Sequence, residues 1–177
     1  MMEIAQIGNP ILRKIAQPIP IEDIGNEDIH TLIDTLIMTA EDAGGVGIAA
    51  PQISQSCRLF IFASRPNPRY PHAPLMQPTA MINPEIIAHS SDMVKDWEGC
   101  LSVCGKRGLV PRYKIITVKY FTRDGQSQTR EFSDFVARII QHELDHLNGI
   151  LFVDRIKNPN DIYTEEEYQK IISTSVN

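Results

Sequence analysis

The sequence predicts an α+β fold, and three observations support that class. Apolar residues recur at spacings of three and four over 26–43 and 133–148, which is the pattern of amphipathic helices. Shorter runs rich in β-branched and aromatic residues, at 58–63 and 109–122, predict strands. Because these elements do not alternate as β–α–β units, a doubly wound parallel sheet is not expected.

The first helix, over 26–43, has clear boundary signals. Asn26 is expected to cap its N-terminus, and the two glycines that follow the helix are expected to end it. The glycine-rich stretch 44–52 contains G-x-G-x-x-A, which also occurs in Rossmann fingerprints. That interpretation fails because a helix precedes the glycines and Pro51 follows where a phosphate-binding helix should run.

The middle of the chain predicts two strands and a long loop. The first strand covers 58–63, and residues 64–80 hold five of the twelve prolines, so they predict an irregular surface loop. The second strand covers 109–122 and is expected to end at a turn near Asp124 and Gly125.

The second helix, over 133–148, is expected to begin at Ser133 and to end at Gly149. Its apolar stripe consists of Phe135, Val136, Ile139, Ile140, Leu144 and Leu147. Thr164 and Glu167 stand three residues apart, as in a capping box, and predict a short third helix near the C-terminus.

The composition restricts the class of protein. Its 177 residues, 42% of them hydrophobic, suffice for a core without disulfides, and we expect 1–177 to form one domain with a short helical tail at about 164–177. The net charge of −5 disfavours nucleic-acid binding, and no apolar run reaches the about 18 residues of a membrane span. An odd number of cysteines and a first segment without a basic-then-apolar pattern predict a cytoplasmic protein with thiols or a thiolate ligand.

The HExxH motif within 141–146 is the strongest chemical signal. His142 and His146 stand four apart, so they share one helical face and could bind one metal ion. Glu143 lies beside them, placed to take a proton from a water molecule at the metal. A chance match on a surface helix is the alternative for this motif taken alone.

The third ligand separates the known metalloenzyme classes. A metzincin site requires a histidine where this chain has Phe152, and the carboxylates at 165–167, which a thermolysin-like site would need, resemble solvated first-turn charges. Cys100 could supply a thiolate, and Gly99 before it allows the backbone to approach closely. The competing interpretation of Cys100 is a small buried thiol.

Three stretches together resemble the signature motifs of peptide deformylases. They are GVGIAAPQ at 45–52, EGCLS at 98–102 and QHELDH at 141–146, and the similarity extends over most of 4–156 through IGNPILR, MINPEI, LVPRY and LNGILFVDRI. The resemblance implies small, mostly antiparallel sheets packed around a central helix that carries HExxH. It also implies a hydrolase that removes the formyl group from N-formylmethionyl nascent chains and releases formate.

The resemblance also implies roles for individual residues. One divalent ion, expected to be Fe²⁺ with Zn²⁺, Ni²⁺ or Co²⁺ able to substitute, is held by Cys100, His142 and His146. The catalytic set is the general base Glu143, with the Gln52 side chain and the Leu101 backbone N–H as oxyanion donors. The substrate-binding positions are Gly45, Gly47, Gly99, Arg107 and Ile139. Ile139 and Phe135 are expected to line a methionine pocket, although ordinary core packing would explain both equally well.

Two ion pairs are expected to support the metal site. Glu98 and Arg112 match a family pair that braces the metal loop, and Asp145 is expected to pair with Arg138. For the arginines taken alone, including Arg107, a solvated surface charge is the default expectation.

Three positions depart from the family pattern: Trp97, Cys104 and Phe135. None of them removes a ligand, the base or an oxyanion donor, so we expect them to affect specificity. Three alternatives stay open: a zinc peptidase, a catalytically idle homologue, and a structural metal site with Cys104 as fourth ligand. The expected partners are formylated nascent peptides and the ribosome exit region, without nucleic-acid readout or membrane contact.

Overall fold

The computed structural model describes residues 2–175, which contain three α-helices and eight strands. The helices are α1 (Glu27–Asp42), α2 (Asp134–Leu147) and α3 (Glu165–Thr174). The strands are β1 (Gly47–Ala49), β2 (Leu59–Phe62), β3 (Thr79–His89), β4 (Met93–Cys100), β5 (Val103–Tyr113), β6 (Ile115–Phe121), β7 (Ser127–Ser133) and β8 (Ile162–Thr164).

The strands form two antiparallel sheets. The larger sheet has the order β1-β2-β3-β6-β7, and the smaller has the order β4-β5-β8. Every neighbouring pair in either sheet runs antiparallel. The predicted α+β class with antiparallel sheets is therefore confirmed.

The predicted helix ends agree with the structure. The Asn26 side chain accepts a hydrogen bond from the Ile29 N–H (3.1 Å), and Thr164 and Glu167 form the expected capping box at α3. Ser133 occupies the N-cap position of α2, but its side chain makes no capping hydrogen bond. Gly149 follows α2 with a φ of +71°, a conformation that favours glycine.

The larger sheet is covered by helices on both faces. Leu59 and Ile61 of β2 belong to one core cluster with residues of α1, while Phe60 and Phe62 belong to another with residues of α2. Because both faces are covered, β2 is a continuous apolar run and does not alternate. The sheet thereby presents α2, with the HExxH motif in its last two turns, toward the smaller sheet.

One predicted strand is wrong. The stretch 109–122 is two strands in different sheets, because β5 ends at Tyr113 and β6 begins at Ile115. The chain bends at Lys114, whose N–H donates to the Asp92 carbonyl (3.0 Å) instead of continuing a ladder. Apolar residues continue across the bend, so their pattern does not reveal it.

Strands β1, β3, β4, β7 and β8 were not predicted. Their sequences lack the usual signals, since β3 contains Asn83 with a φ of +49° followed by Pro84, and the first half of β4 is exposed and does not alternate between apolar and polar residues. The proline-rich loop is confirmed, although β3 already begins at Thr79. None of the helices within 2–175 combines the length and apolar character that crossing a bilayer requires.

Candidate metal centre and active-site pocket

The three predicted ligands lie together. The side chains of Cys100 at the end of β4 and of His142 and His146 on α2 are buried, and their ligand atoms all lie within 4.8 Å of one another. Sγ of Cys100 is 3.3 Å from Nε2 of His146. No fourth histidine, cysteine or carboxylate joins this group within residues 2–175. Cys104 is exposed and its thiol faces the Leu101 carbonyl (3.8 Å), which argues against a closed structural site.

The donor set fits a borderline divalent metal. One sulfur and two imidazoles suit ions such as Fe²⁺, Co²⁺, Ni²⁺ and Zn²⁺. Nδ1 of His142 lies 2.7 Å from Oε1 of Glu98, so its other nitrogen is left for the cluster. This carboxylate–histidine arrangement is how proteins orient metal-binding imidazoles. Burial lowers the pKa of His146, which favours the neutral form that a ligand needs.

Glu98 is the centre of a buried ionic network. Arg112 donates to both of its oxygens (2.8 and 2.9 Å), and Arg138 adds a further hydrogen bond (2.8 Å). Burial alone would raise the pKa of Glu98, but Arg112 and His142 lower it far below its ordinary value. The carboxylate therefore stays ionised, and the predicted Glu98–Arg112 pair is confirmed.

Asp145 pairs with other arginines than the predicted Arg138. Its oxygens accept hydrogen bonds from Arg112 (2.6 Å) and Arg155 (2.6 Å). Arg138 and Asp145 do not pair because they lie seven residues apart on α2, which corresponds to a rise of about 10 Å along the helix axis. Arg138 instead donates to Glu98 and to the carbonyl oxygens of Val94 and Val110 (2.7 Å each), so it joins α2 to the smaller sheet.

Glu143 carries a buried oxygen that has no hydrogen-bond partner among the described residues, Oε2. Burial raises the pKa of Glu143 to about 7, close to neutral pH. Gly47 explains how the side chain fits, since a Cβ at that position would lie 2.6 Å from Oε1 of Glu143. Gly47 of the GVGIAAPQ motif therefore leaves the space that the Glu143 side chain of the HExxH motif occupies.

Gln52 and Leu101 border the metal cluster. The Gln52 side chain is buried, accepts a hydrogen bond from the Ala49 N–H (2.8 Å) and donates to Oγ of Ser102 (3.0 Å). Its amide nitrogen is 3.7 Å from Sγ of Cys100. Leu101 lies on the turn between β4 and β5, and both residues line the pocket described next.

The cluster opens into a pocket of about 530 Å³. Its wall includes the predicted residues Gly45, Gly47, Gly99, Phe135 and Ile139. Ile139 also belongs to the core cluster beneath α2, so this residue packs in the core and lines the pocket. Trp97 lines the pocket as well, which places two of the three departures from the family pattern, Trp97 and Phe135, in its wall.

Sequence reasoning missed Arg69 and Tyr70 of the proline-rich loop. Both line the pocket, and the Tyr70 ring packs on that of Phe135 with 5.0 Å between centroids. The Tyr70 hydroxyl accepts hydrogen bonds from the Gly99 N–H (3.2 Å) and from Arg107 (2.9 Å). An aromatic residue within a proline-rich loop was the signal that could have indicated an anchored segment.

Arg107 is buried behind the metal loop and is not a surface charge. It donates to Glu165 (2.7 Å) and to Tyr70, and its guanidinium lies 4.6 Å from the Tyr168 ring centroid. A Cβ on Gly99 would lie 2.6 Å from this guanidinium, so Gly99 leaves room for Arg107. Glu165, expected to be a solvated charge, is an ion-pair partner.

Comparisons with known proteins agree with this geometry. The profile of the polypeptide deformylase family matches residues 1–161. The chain belongs to the polypeptide deformylase family. It is 57% identical to Peptide deformylase 2 of Nostoc sp. over 173 residues, which cover 98% of this chain and 96% of that one.

Solved structures of family members share the fold. A crystal structure of class I type b peptide deformylase from Acinetobacter baumannii, bound to Met-Ala-Ser, matches with a TM-score of 0.86 at 48% identity and covers 88% of this chain and 98% of that chain. The enzyme from Thermotoga maritima matches with a TM-score of 0.79 at 36% identity, covering 89% and 99%. The predicted membership among deformylases, which are hydrolases of N-formyl groups, is confirmed, and the HExxH peptidase alternative is not supported.

Proposed function

We propose that this chain removes the formyl group from N-formylmethionine at the start of newly made polypeptides and releases formate. The observation that carries this proposal is the unpartnered Glu143 oxygen beside a buried Cys–His–His cluster that opens into a pocket. An open coordination position is what a catalytic site needs, and membership of the deformylase family supports the reaction.

We propose Cys100, His142 and His146 as the ligands of one Fe²⁺ ion, with Zn²⁺, Ni²⁺ or Co²⁺ able to replace it. When bound, such an ion supplies Lewis acidity and lowers the pKa of water in the site. The hydrogen bond between Glu98 and Nδ1 of His142 would leave the other nitrogen of this imidazole to hold the ion.

Glu143 moves the proton in this proposal. Its pKa of about 7 lets it accept a proton from the attacking water and later donate that proton to the departing amine. Gly47 keeps the carboxylate in place, because no side chain competes for its position.

Gln52 and Leu101 are the proposed oxyanion donors. Gln52 and Leu101 line the pocket, and the Gln52 amide nitrogen is 3.7 Å from Sγ of Cys100, which supports a role for both in stabilising negative charge on the formyl oxygen. Donors of this kind contribute about 3 kcal/mol to lowering the barrier.

The peptide is proposed to bind along β1. This strand is at the edge of the larger sheet, where β2 is its one strand partner within residues 2–175, and an extended substrate is proposed to pair with its other edge. Gly45 and Gly99 face the same pocket, and the methionine side chain is proposed to contact Ile139 and Phe135.

We also propose that 1–177 is one catalytic domain with α2 as its central helix, acting in the cytoplasm. Newly made polypeptides become accessible where they leave the ribosome, so the exit region is the proposed place of encounter.

The first experiment measures formate release from formyl-Met-Ala-Ser by anaerobically purified protein loaded with Fe²⁺. We expect release from this peptide and none from acetyl-Met-Ala-Ser. Metal-loaded protein that binds the formyl peptide without releasing formate would identify an idle homologue. Cleavage within unformylated peptides would instead support a peptidase.

Replacing Gly47 by alanine should reduce deformylation on the order of tenfold or more, because misplacing a catalytic group by 1 Å is costly. The new Cβ would meet Oε1 of Glu143 at 2.6 Å and displace it. Gly8→Ala is the comparison, because Gly8 lies outside the pocket, its Cβ would meet no atom within 4 Å, and its φ of +100° makes the variant a control for backbone strain alone. Formate release and thermal unfolding of both variants check this. Equal activity of the two variants would contradict the assigned role of Gly47.

A further inference from the structure

A second pocket, of about 370 Å³, adjoins the active-site pocket at residues 99–101. The two pockets share Gly99, Cys100 and Leu101 of the loop and also Arg69. If a peptide binds with its formyl group at the metal cluster, the residues that follow its methionine therefore pass close to the second pocket.

The charged residues of the second pocket are mainly basic: Arg69, Lys106, Arg107 and Glu165. This excess of positive charge contrasts with the net charge of −5 of the whole chain. The Glu165 carboxylate is taken up by Arg107, which donates to both of its oxygens (2.7 and 3.5 Å). Arg107 itself is buried and held by Tyr70 and Tyr168.

Two cationic side chains of this pocket are not engaged in ion pairs within the described residues. Neither Arg69 nor Lys106 forms an ion pair with any residue in 2–175. Arg69 is fixed by its backbone, because its carbonyl accepts a hydrogen bond from the Tyr168 hydroxyl (2.6 Å). Lys106 is exposed on β5, opposite Thr164 of β8. An anionic group in this pocket would meet both cations without displacing an existing ion pair.

We infer that the second pocket is a specificity subsite for an acidic side chain of the formylated peptide, downstream of its methionine. The inference rests on the proposed function and adds a charge preference to it. Arg69 and Lys106 attract the carboxylate, while the charges of Arg107 and Glu165 offset one another. The carboxylate is bound as an ion, and no covalent step is involved.

The test compares pairs of peptides that differ by one isosteric change. Glutamate and glutamine are placed in turn at the second, third and fourth positions of formyl-Met peptides, and kcat/KM for formate release is measured. At one of these positions we expect kcat/KM for the glutamate peptide to exceed that for the glutamine peptide about fivefold, which is the size of effect expected from a partly exposed ion pair. This ratio should fall toward one as the salt concentration rises from about 50 to about 500 mM, because salt screens the attraction between exposed charges.

Two variants separate the subsite from the general charge of the protein. Lys106→Met removes a charge from the second pocket and should lower the glutamate-to-glutamine ratio by half or more. Lys119→Met removes an exposed charge on β6, outside both pockets, and should leave the ratio unchanged.

The outcomes distinguish this inference from the proposed function. If glutamine peptides release formate and the ratio stays at one at all three positions, the subsite is wrong and the deformylase proposal stands. A ratio that falls equally in both variants would also overturn the subsite, because overall charge would then explain it. If no formyl peptide releases formate, the proposed function itself fails.

Discussion

Replacing Glu143 by alanine should reduce formate release by a factor on the order of 10³, as expected when a general acid–base group is lost. The substitution removes the proposed proton acceptor but none of the three ligands. The fold should also survive, because Oε2 of Glu143 makes no hydrogen bond within the described part of the chain. Metal content and thermal unfolding of Glu143→Ala should therefore equal those of the parent protein.

Glu143→Asp provides the matched control for this prediction. Aspartate keeps a carboxylate but withdraws it from the cluster by one methylene, so its activity should lie between those of the parent and the alanine variant. Glu131→Ala, on the exposed side of β7, controls for the loss of an unrelated carboxylate. A Glu143→Ala protein that binds metal and deformylates at the parental rate would exclude Glu143 as the base.

Replacing Glu98 by glutamine should destabilise the protein by about 3–5 kcal/mol, the usual cost of removing one partner from a buried ionic network. Glutamine has nearly the same shape, so the loss arises from charge. Arg112 and Arg138 would stay buried beside a neutral amide, and His142 would lose its ionic partner. Metal affinity should fall by about 10- to 100-fold as well, because Glu98 orients a ligand.

Denaturant unfolding and competition with a chelator measure these two effects. Glu166→Gln makes the same chemical change in an exposed pair with Lys170 on α3 and should alter stability by less than about 1 kcal/mol. Equal stability of the Glu98 and Glu166 variants would show that the buried network contributes no more than a surface pair.

The parts that the sequence predicted correctly depend on local spacing or on a motif. The four-residue interval between His142 and His146 sets one helical face, and Asn26 and Thr164 mark helix ends through hydrogen bonds to residues three positions away. Cys100 is 42 residues before His142, so its place in the cluster could be expected only from the resemblance of three motifs taken together.

The predictions that were wrong concern features that tertiary packing determines. Asp145 could have met several arginines, and the partners it has, Arg112 and Arg155, are brought to it by the smaller sheet and by the chain after α2. The bend at Lys114 divides one apolar run between two sheets, and the spacing of the apolar residues gives no sign of this division. The reason for Gly47 is likewise a contact with α2, about 100 residues away in the chain.

The attachment of α3 has a consequence for local unfolding near the active-site pocket. Glu165 and Tyr168 hold Arg107 and the backbone of Arg69, and these in turn hold Tyr70 at the wall of the active-site pocket. Local opening of α3 therefore removes the fastening of this wall while the ligand side chains on β4 and α2 keep their places. The short helix at 165–174 and the Tyr70 side of the pocket thus form one cooperative unit, separate from the buried metal cluster.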